Sequence, residues 1–247
     1  MFHQETLGDI NTKYERETIL AHDKVLFKGH PVAGVVAINA HVAEEALGLI
    51  DVEYEVLPHV MTAPEGMAEG SPVLHQDVKI KDAQGVSEKP SNVAAHIQFK
   101  WGDLVEGFSN ADVVVEREFN TATVHQGYIE PHNCTVHWNK DGRVYIWNST
   151  QAPFEVRDFT AEILGIPVSS VTVTPMEIGG GFGGKLIVYL EPVAALLSKK
   201  TGHPVKITMS RSEVFEGTGP TAAAHIRAKV GATKKGKIVA AEGELIY

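Results

Sequence analysis

The residues best suited to chemistry lie in one run, Glu177-Ile178-Gly179-Gly180-Gly181-Phe182-Gly183-Gly184-Lys185. Glycine loses more conformational freedom on folding than any other residue, so this density needs a physical reason. One reason is a tight connection in which a Cβ would crowd its neighbours. The other is a cradle whose bare N–H groups approach a bound anion. An ordinary turn uses one or two glycines, which favours the cradle. Gly179 to Lys185 also spells the phosphate-loop pattern of glycine, four residues, glycine and lysine. That loop needs a serine or threonine next, to reach magnesium, and Leu186 stands there instead. A dinucleotide loop can be drawn through Gly179, Gly181 and Gly184, but it needs an acidic residue on a second strand about twenty residues later. Glu191 comes too early for that role and Glu213 too late.

Other reactive side chains are less organised. His125, His132 and His137 fit neither a helical i, i+4 pair nor a zinc spacing, and read as parts of a polar loop and a strand. Cys134 lies in the strand-like run Cys-Thr-Val-His-Trp, so a buried structural thiol is expected rather than a nucleophile. His30 and His41 suggest no role. The run Thr233-Lys234-Lys235-Gly236-Lys237 reads as a solvated hairpin tip.

These residues belong to a chain of 247 residues of ordinary apolar content, enough for one large domain or two small ones. A net charge of −9 argues against a nucleic-acid partner. A single cysteine excludes internal disulfides and an iron–sulfur cluster held by this chain alone. No apolar run approaches the roughly 20 residues of a membrane span. The first residues lack a signal-peptide pattern, so the expected location is cytoplasmic.

The pattern of elements is mixed, an α+β chain. A buried strand is expected at 32–38, a helix over 40–50 capped by Asn39, and a half-buried strand at 51–56. Residues 58–92, with many prolines and glycines, read as a long irregular connection. Next come a strand at 94–100, a helical turn from Asp103 to Phe108 and a strand at 113–119. Residues 125–133 look turn-like. A hairpin of 134–138 and 144–147 turns at Asn139-Lys140-Asp141-Gly142. Pro153 opens a helix that Gly165 and Pro167 stop. A strand at 171–174 leads into the glycine run. A helix within 186–200 either starts near Glu191 or kinks at Pro192, and Gly202 ends it. Strands follow at 205–209, 225–231 and 238–246. The last breaks off at Tyr247, as though inside a fold.

Three segments in this order resemble the molybdenum-binding subunit of the xanthine dehydrogenase and aldehyde oxidase family, the molybdenum hydroxylases. They are Gly127-Tyr128-Ile129-Glu130-Pro131-His132, Ser149-Thr150-Gln151-Ala152-Pro153 and Gly179 to Lys185. Asp23-Lys24-Val25, Gly29-His30-Pro31 and Lys200-Thr201-Gly202-His203-Pro204-Val205 fit as well, so the resemblance runs from about residue 13 onward. It implies that residues 1–85 are the end of an α/β hammerhead-like domain with its linker. Residues 92–247 would be the first part of a molybdopterin-binding domain. Gly180, Gly181, Phe182, Gly183 and Gly184 would line the cofactor, with Phe182 and Gly183 facing the metal and a glycine N–H bonding one of its oxygen ligands. Gln126 would stand for a glutamine that reaches the site, although its offset from Glu130 differs from that in xanthine oxidases. No protein side chain would ligate the molybdenum, because the cofactor's dithiolene does so.

The implied reaction is hydroxylation of an aldehyde or N-heterocycle with water as oxygen donor, in a complex with iron–sulfur and FAD subunits. Its base, a glutamate, would lie beyond this chain, so no catalytic residue is expected here and the piece alone is expected to be inactive. Leu186 replaces a glutamate that contacts purines in many eukaryotic members, which argues against a purine substrate. A different class of function, a non-catalytic scaffold that docks partner subunits, is compatible with the same residues.

Overall fold

The computed structural model describes residues 16–76, 78–82 and 85–247. In chain order the elements begin with α1 (Ala40–Leu47), α2 (Ala63–Met67), β1 (Lys79–Asp82), β2 (Gly85–Pro90), α3 (Leu104–Ser109) and β3 (Val113–Asn120). They continue with β4 (Asn133–Trp138), β5 (Val144–Asn148), α4 (Pro153–Leu164), β6 (Val171–Pro175), α5 (Glu191–Thr201), β7 (Val205–Thr208), α6 (Arg211–Gly217), β8 (His225–Ala232) and β9 (Ile238–Ile246). The described residues form two compact units, one within 1–54 and 125–220, the other within 55–124 and 221–247.

The first unit is built on a four-stranded sheet in the order β6-β5-β4-β7. β4 pairs antiparallel with β5 and with β7, while β5 and β6 run parallel. Parallel neighbours need a crossover, and α4 supplies it. Pro153 starts α4, and Gly165, at φ 65°, ends it. α5 starts at Glu191 with Pro192 in its first turn, so the proline does not kink it, and Gly202 closes it at φ 70°. β4 alternates between buried and half-buried residues along its first four positions. Cys134, Val136, Val144, Ile146, Ala161, Val171, Ala194, Ala195 and Val205 form the core between the sheet and the two helices. Burial pushes the Cys134 thiol well up, which keeps it protonated and structural.

The second unit carries the hairpin β1-β2 and an antiparallel sheet in the order β3-β8-β9. Asp103 caps α3 by accepting from Val105 N at 2.8 Å and Glu106 N at 3.1 Å. A Cβ at Gly107 would lie 2.8 Å from Val239 O, so α3 approaches β9 through that glycine. Every residue of β3 is exposed.

Most expected elements form, some with shifted ends. α1 stops at Leu47, capped by Asn39, which accepts from Val42 N at 3.0 Å. The strands expected at 32–38, 51–56 and 94–100 do not form. A strand needs a neighbour for its N–H and C=O groups; none of the sheets includes these segments, and 94–100 keeps only an isolated bridge at Ala95. Residues 58–92 are more ordered than their composition suggests. Thr62 caps α2, accepting from Glu65 N at 3.3 Å, and β1 pairs with β2. α6 was also unexpected, though Ser210-x-x-Glu213 is a capping box, with Ser210 N donating to Glu213 Oε2 at 2.6 Å and Glu213 N donating to Ser210 Oγ at 3.2 Å.

Candidate functional site

The glycine run follows β6 and precedes α5 in the first unit. Each glycine there has its own reason. A Cβ at Gly179 would fall 2.6 Å from Glu130 Cβ, one at Gly181 would fall 2.4 Å from Gln151 Oε1, and one at Gly184 would fall 2.7 Å from Tyr128 Cε1. Gly180 and Gly183 sit at φ +96° and +91°, where a side chain is strained. Phe182, at φ 50°, is the only non-glycine residue with positive φ among the described residues, and its side chain is exposed. Backbone strain of this kind concentrates at functional sites.

Three segments meet at this loop. Glu130 lies between Tyr128 and His132, before β4. One of its carboxylate oxygens, Oε2, accepts from Gly179 N at 2.7 Å, Lys185 Nζ at 2.7 Å and Ser149 Oγ at 2.6 Å. A single oxygen thus holds both ends of the loop. Lys185 is 1% exposed, and its ammonium also donates to Ser149 Oγ at 2.8 Å and lies 5.1 Å from the centre of the Tyr128 ring. Burial pushes the Glu130 carboxyl up, but Lys185, Ser149 and Gly179 outweigh it and hold the group at about 2. From the segment after β5, Gln151 Oε1 accepts from Gly183 N at 3.0 Å and Lys185 N at 3.3 Å. Thr150 Oγ1 donates to Lys185 O at 3.1 Å.

The histidines separate. His132 is buried and shares a 2.6 Å hydrogen bond with the Tyr128 hydroxyl. Burial, then the nearby Lys185 and His125, pull its pKa down to about 4. His125 bonds Thr218 Oγ1 at 2.9 Å, and His137 lies on β4. No group of three or more metal-ligating side chains forms among the described residues.

Gln126 approaches the loop. Its buried Oε1 has no hydrogen-bond partner among the described residues and would lie 3.3 Å from a Cβ at Gly184. The N–H groups of Gly180, Gly181 and Phe182 have no partner among the described residues either. Consecutive free main-chain donors suit an anionic group, and the orphaned carboxamide gives it a second polar neighbour.

The family models fit this arrangement. Residues 86–247 match the molybdopterin cofactor-binding domain. Residues 2–58 match the a/b hammerhead domain of aldehyde oxidase and xanthine dehydrogenase. This chain belongs to the xanthine dehydrogenase and aldehyde oxidase family. Among relatives, the "Probable hypoxanthine oxidase XdhD" of Escherichia coli (strain K12) is 35% identical over 88% of this chain and 25% of its own length. The nicotinate dehydrogenase large molybdopterin subunit of Eubacterium barkeri is 32% identical over 93% of this chain and 51% of its own. Among solved structures, reconstituted CO dehydrogenase from Oligotropha carboxidovorans superposes with a TM-score of 0.79 at 32% identity, over 92% of this chain and 29% of that one. The chain thus spans about a quarter and about half of the length of these two curated relatives. The molybdenum hydroxylase fold, a hammerhead domain followed by a molybdopterin-binding domain, is the architecture expected from the sequence.

The sequence pointed to the loop but not to what holds it. Ser149, Gln151 and Lys185 were legible only as parts of recognisable segments. The available signal was one acid, Glu130, and one base, Lys185, in two separate polar segments, each next to backbone that turns sharply.

Proposed function

We propose that this chain is part of the molybdenum-binding subunit of a molybdenum hydroxylase that oxidises an aldehyde or N-heterocycle with water as oxygen donor. The observation that carries the proposal is the convergence of three segments on a loop whose N–H groups at Gly180, Gly181 and Phe182 are unclaimed among the described residues. Residues 1–85 then read as the end of the hammerhead domain with its linker, and 92–247 as the first part of the molybdopterin domain. Gly180, Gly181, Phe182, Gly183, Gly184 and Gln126 would hold the cofactor, which, once bound, supplies the redox chemistry. The chain's own part is placement. Glu130 and Lys185 fix the ends of the loop, and the exposed Phe182 and Leu186 offer apolar surface beside it. That leucine supports a substrate without a group needing a carboxylate at that position. Partner subunits would carry iron–sulfur clusters and FAD. No helix among the described residues is long and apolar enough to cross a membrane, and the complex is proposed to work in the cytoplasm.

The test is co-expression with sequence completing a subunit of the relatives' length and with iron–sulfur and FAD subunits. The complex is expected to retain molybdopterin and to oxidise an aldehyde or an N-heterocycle. Replacing Gly183 by leucine should lower its molybdenum content. A complex without molybdenum in any pairing, or a molybdenum content indifferent to Gly183→Leu, would sink the proposal.

A further inference from the structure

Gln151 is exposed and sits just ahead of α4, yet its backbone is pinned on both sides. Its N–H donates to Lys185 O at 2.9 Å, and Thr150 Oγ1 accepts from Ala152 N at 3.0 Å while donating to that same Lys185 carbonyl. The carboxamide therefore leaves a fixed point and reaches across the loop. Its oxygen takes two N–H groups two residues apart, those of Gly183 and Lys185. It also fills the space where a side chain at position 181 would lie.

The five loop N–H groups from Gly180 to Gly184 divide accordingly. Gly184 N donates to Gly181 O at 2.8 Å, which closes a turn. Gly183 N goes to Gln151. Those of Gly180, Gly181 and Phe182 are left without a partner among the described residues. Nothing lies within 4 Å of a Cβ at Gly183, so its glycine serves a backbone conformation rather than crowding. A glycine in open space is free to turn unless something holds its N–H.

We infer that Gln151 is a positioning residue that sorts the loop's main-chain donors, keeping Gly183 and Lys185 N–H within the chain and leaving Gly180, Gly181 and Phe182 N–H for the ligand. The role toward a ligand rests on the cofactor reading above; the sorting itself does not. The Gln151 carboxamide oxygen is committed to the loop's own N–H groups, and so fixes which of the remaining donors face a ligand.

Residue-level hydrogen exchange on the full chain, alone and in its complex, tests this with two substitutions. Gln151→Leu keeps the bulk and removes the acceptor. Gln151→Glu keeps an oxygen that can take both N–H groups. Losing one such bond is expected to speed exchange at Gly183 and Lys185 about tenfold in Gln151→Leu, and Gln151→Glu should restore it to within about twofold. The N–H groups of Val136 and Ile146, in the core strands, should exchange at the parent rate in both variants. Unchanged exchange at Gly183 and Lys185 in Gln151→Leu would overturn the inference. So would failure of Gln151→Glu to restore it, or equal acceleration at Val136 and Ile146. Molybdopterin content of the complex is the second readout and should fall in Gln151→Leu. If the parent complex holds no molybdopterin, the cofactor reading fails, while the exchange comparison still decides the role of Gln151.

Discussion

The two sheets use similar residues in opposite ways. β5 is Val-Tyr-Ile-Trp-Asn, and its Val144 and Ile146 are fully buried. β3 opens Val-Val-Val, and Val113, Val114 and Val115 are all exposed. The charges differ in the same sense. In the first unit Lys185 and Glu130 form an ion pair closed off from water on the lysine side. In the second, Arg227 Nη2 and Glu116 Oε1 pair at 2.5 Å across β3 and β8, with both side chains open to solvent. An apolar strand or an ion pair therefore has no fixed worth. Its contribution depends on how much water it has left.

The largest expected effect tests the ion pairs. Lys185→Met leaves Glu130 partly buried without its cation, and breaking such a pair costs about 3 kcal/mol. Urea unfolding should show that loss, whereas Arg227→Met should leave the midpoint where it was. Equal shifts would erase the distinction between the two units.

A second effect comes from pH. His132 has its folded pKa lowered to about 4 from an ordinary value of 6.5, and Glu130 to about 2 from 4.5. Both shifts are downward, so each group contributes stability above its unfolded pKa and loses it as pH falls toward the folded one. The chain should therefore weaken first between about pH 6.5 and 4 through His132, then between about 4.5 and 2 through Glu130. Thermal unfolding of Glu130→Gln across that range should lack the second step; an unaltered profile would contradict the assignment.

The smallest effect contrasts two glycines. Gly179→Ala forces a Cβ to within 2.6 Å of Glu130 Cβ and should lower the melting temperature. Gly243→Ala, on β9, meets nothing closer than 3.9 Å and should be neutral or slightly stabilising. Reversal of that order would mean the loop is not clasped as described.

Much of this was legible in the sequence because local chemistry decides it. Asn39, Asp103, Pro153, Gly165 and Gly202 fix helix ends within a few residues of themselves. Asp141-Gly142 fixes the β4–β5 turn. The strands expected at 32–38 and 51–56 failed because a strand is a property of a pair, and a single apolar or alternating run does not reveal whether a partner exists. The glycine loop was visible by composition. Its clasp was not, because Glu130 and Lys185 are 55 residues apart and only the fold brings them together.

Lys185 also carries a chemical consequence. In the phosphate loop whose spelling it shares, the lysine reaches outward to its ligand. Here the ammonium turns inward and spends its hydrogen bonds on Glu130 and Ser149. An amine-acylating reagent would modify the exposed Lys199, Lys200, Lys234 and Lys235 while leaving Lys185 untouched until the clasp opens. Its rate of acylation is therefore a clock for the opening of the loop.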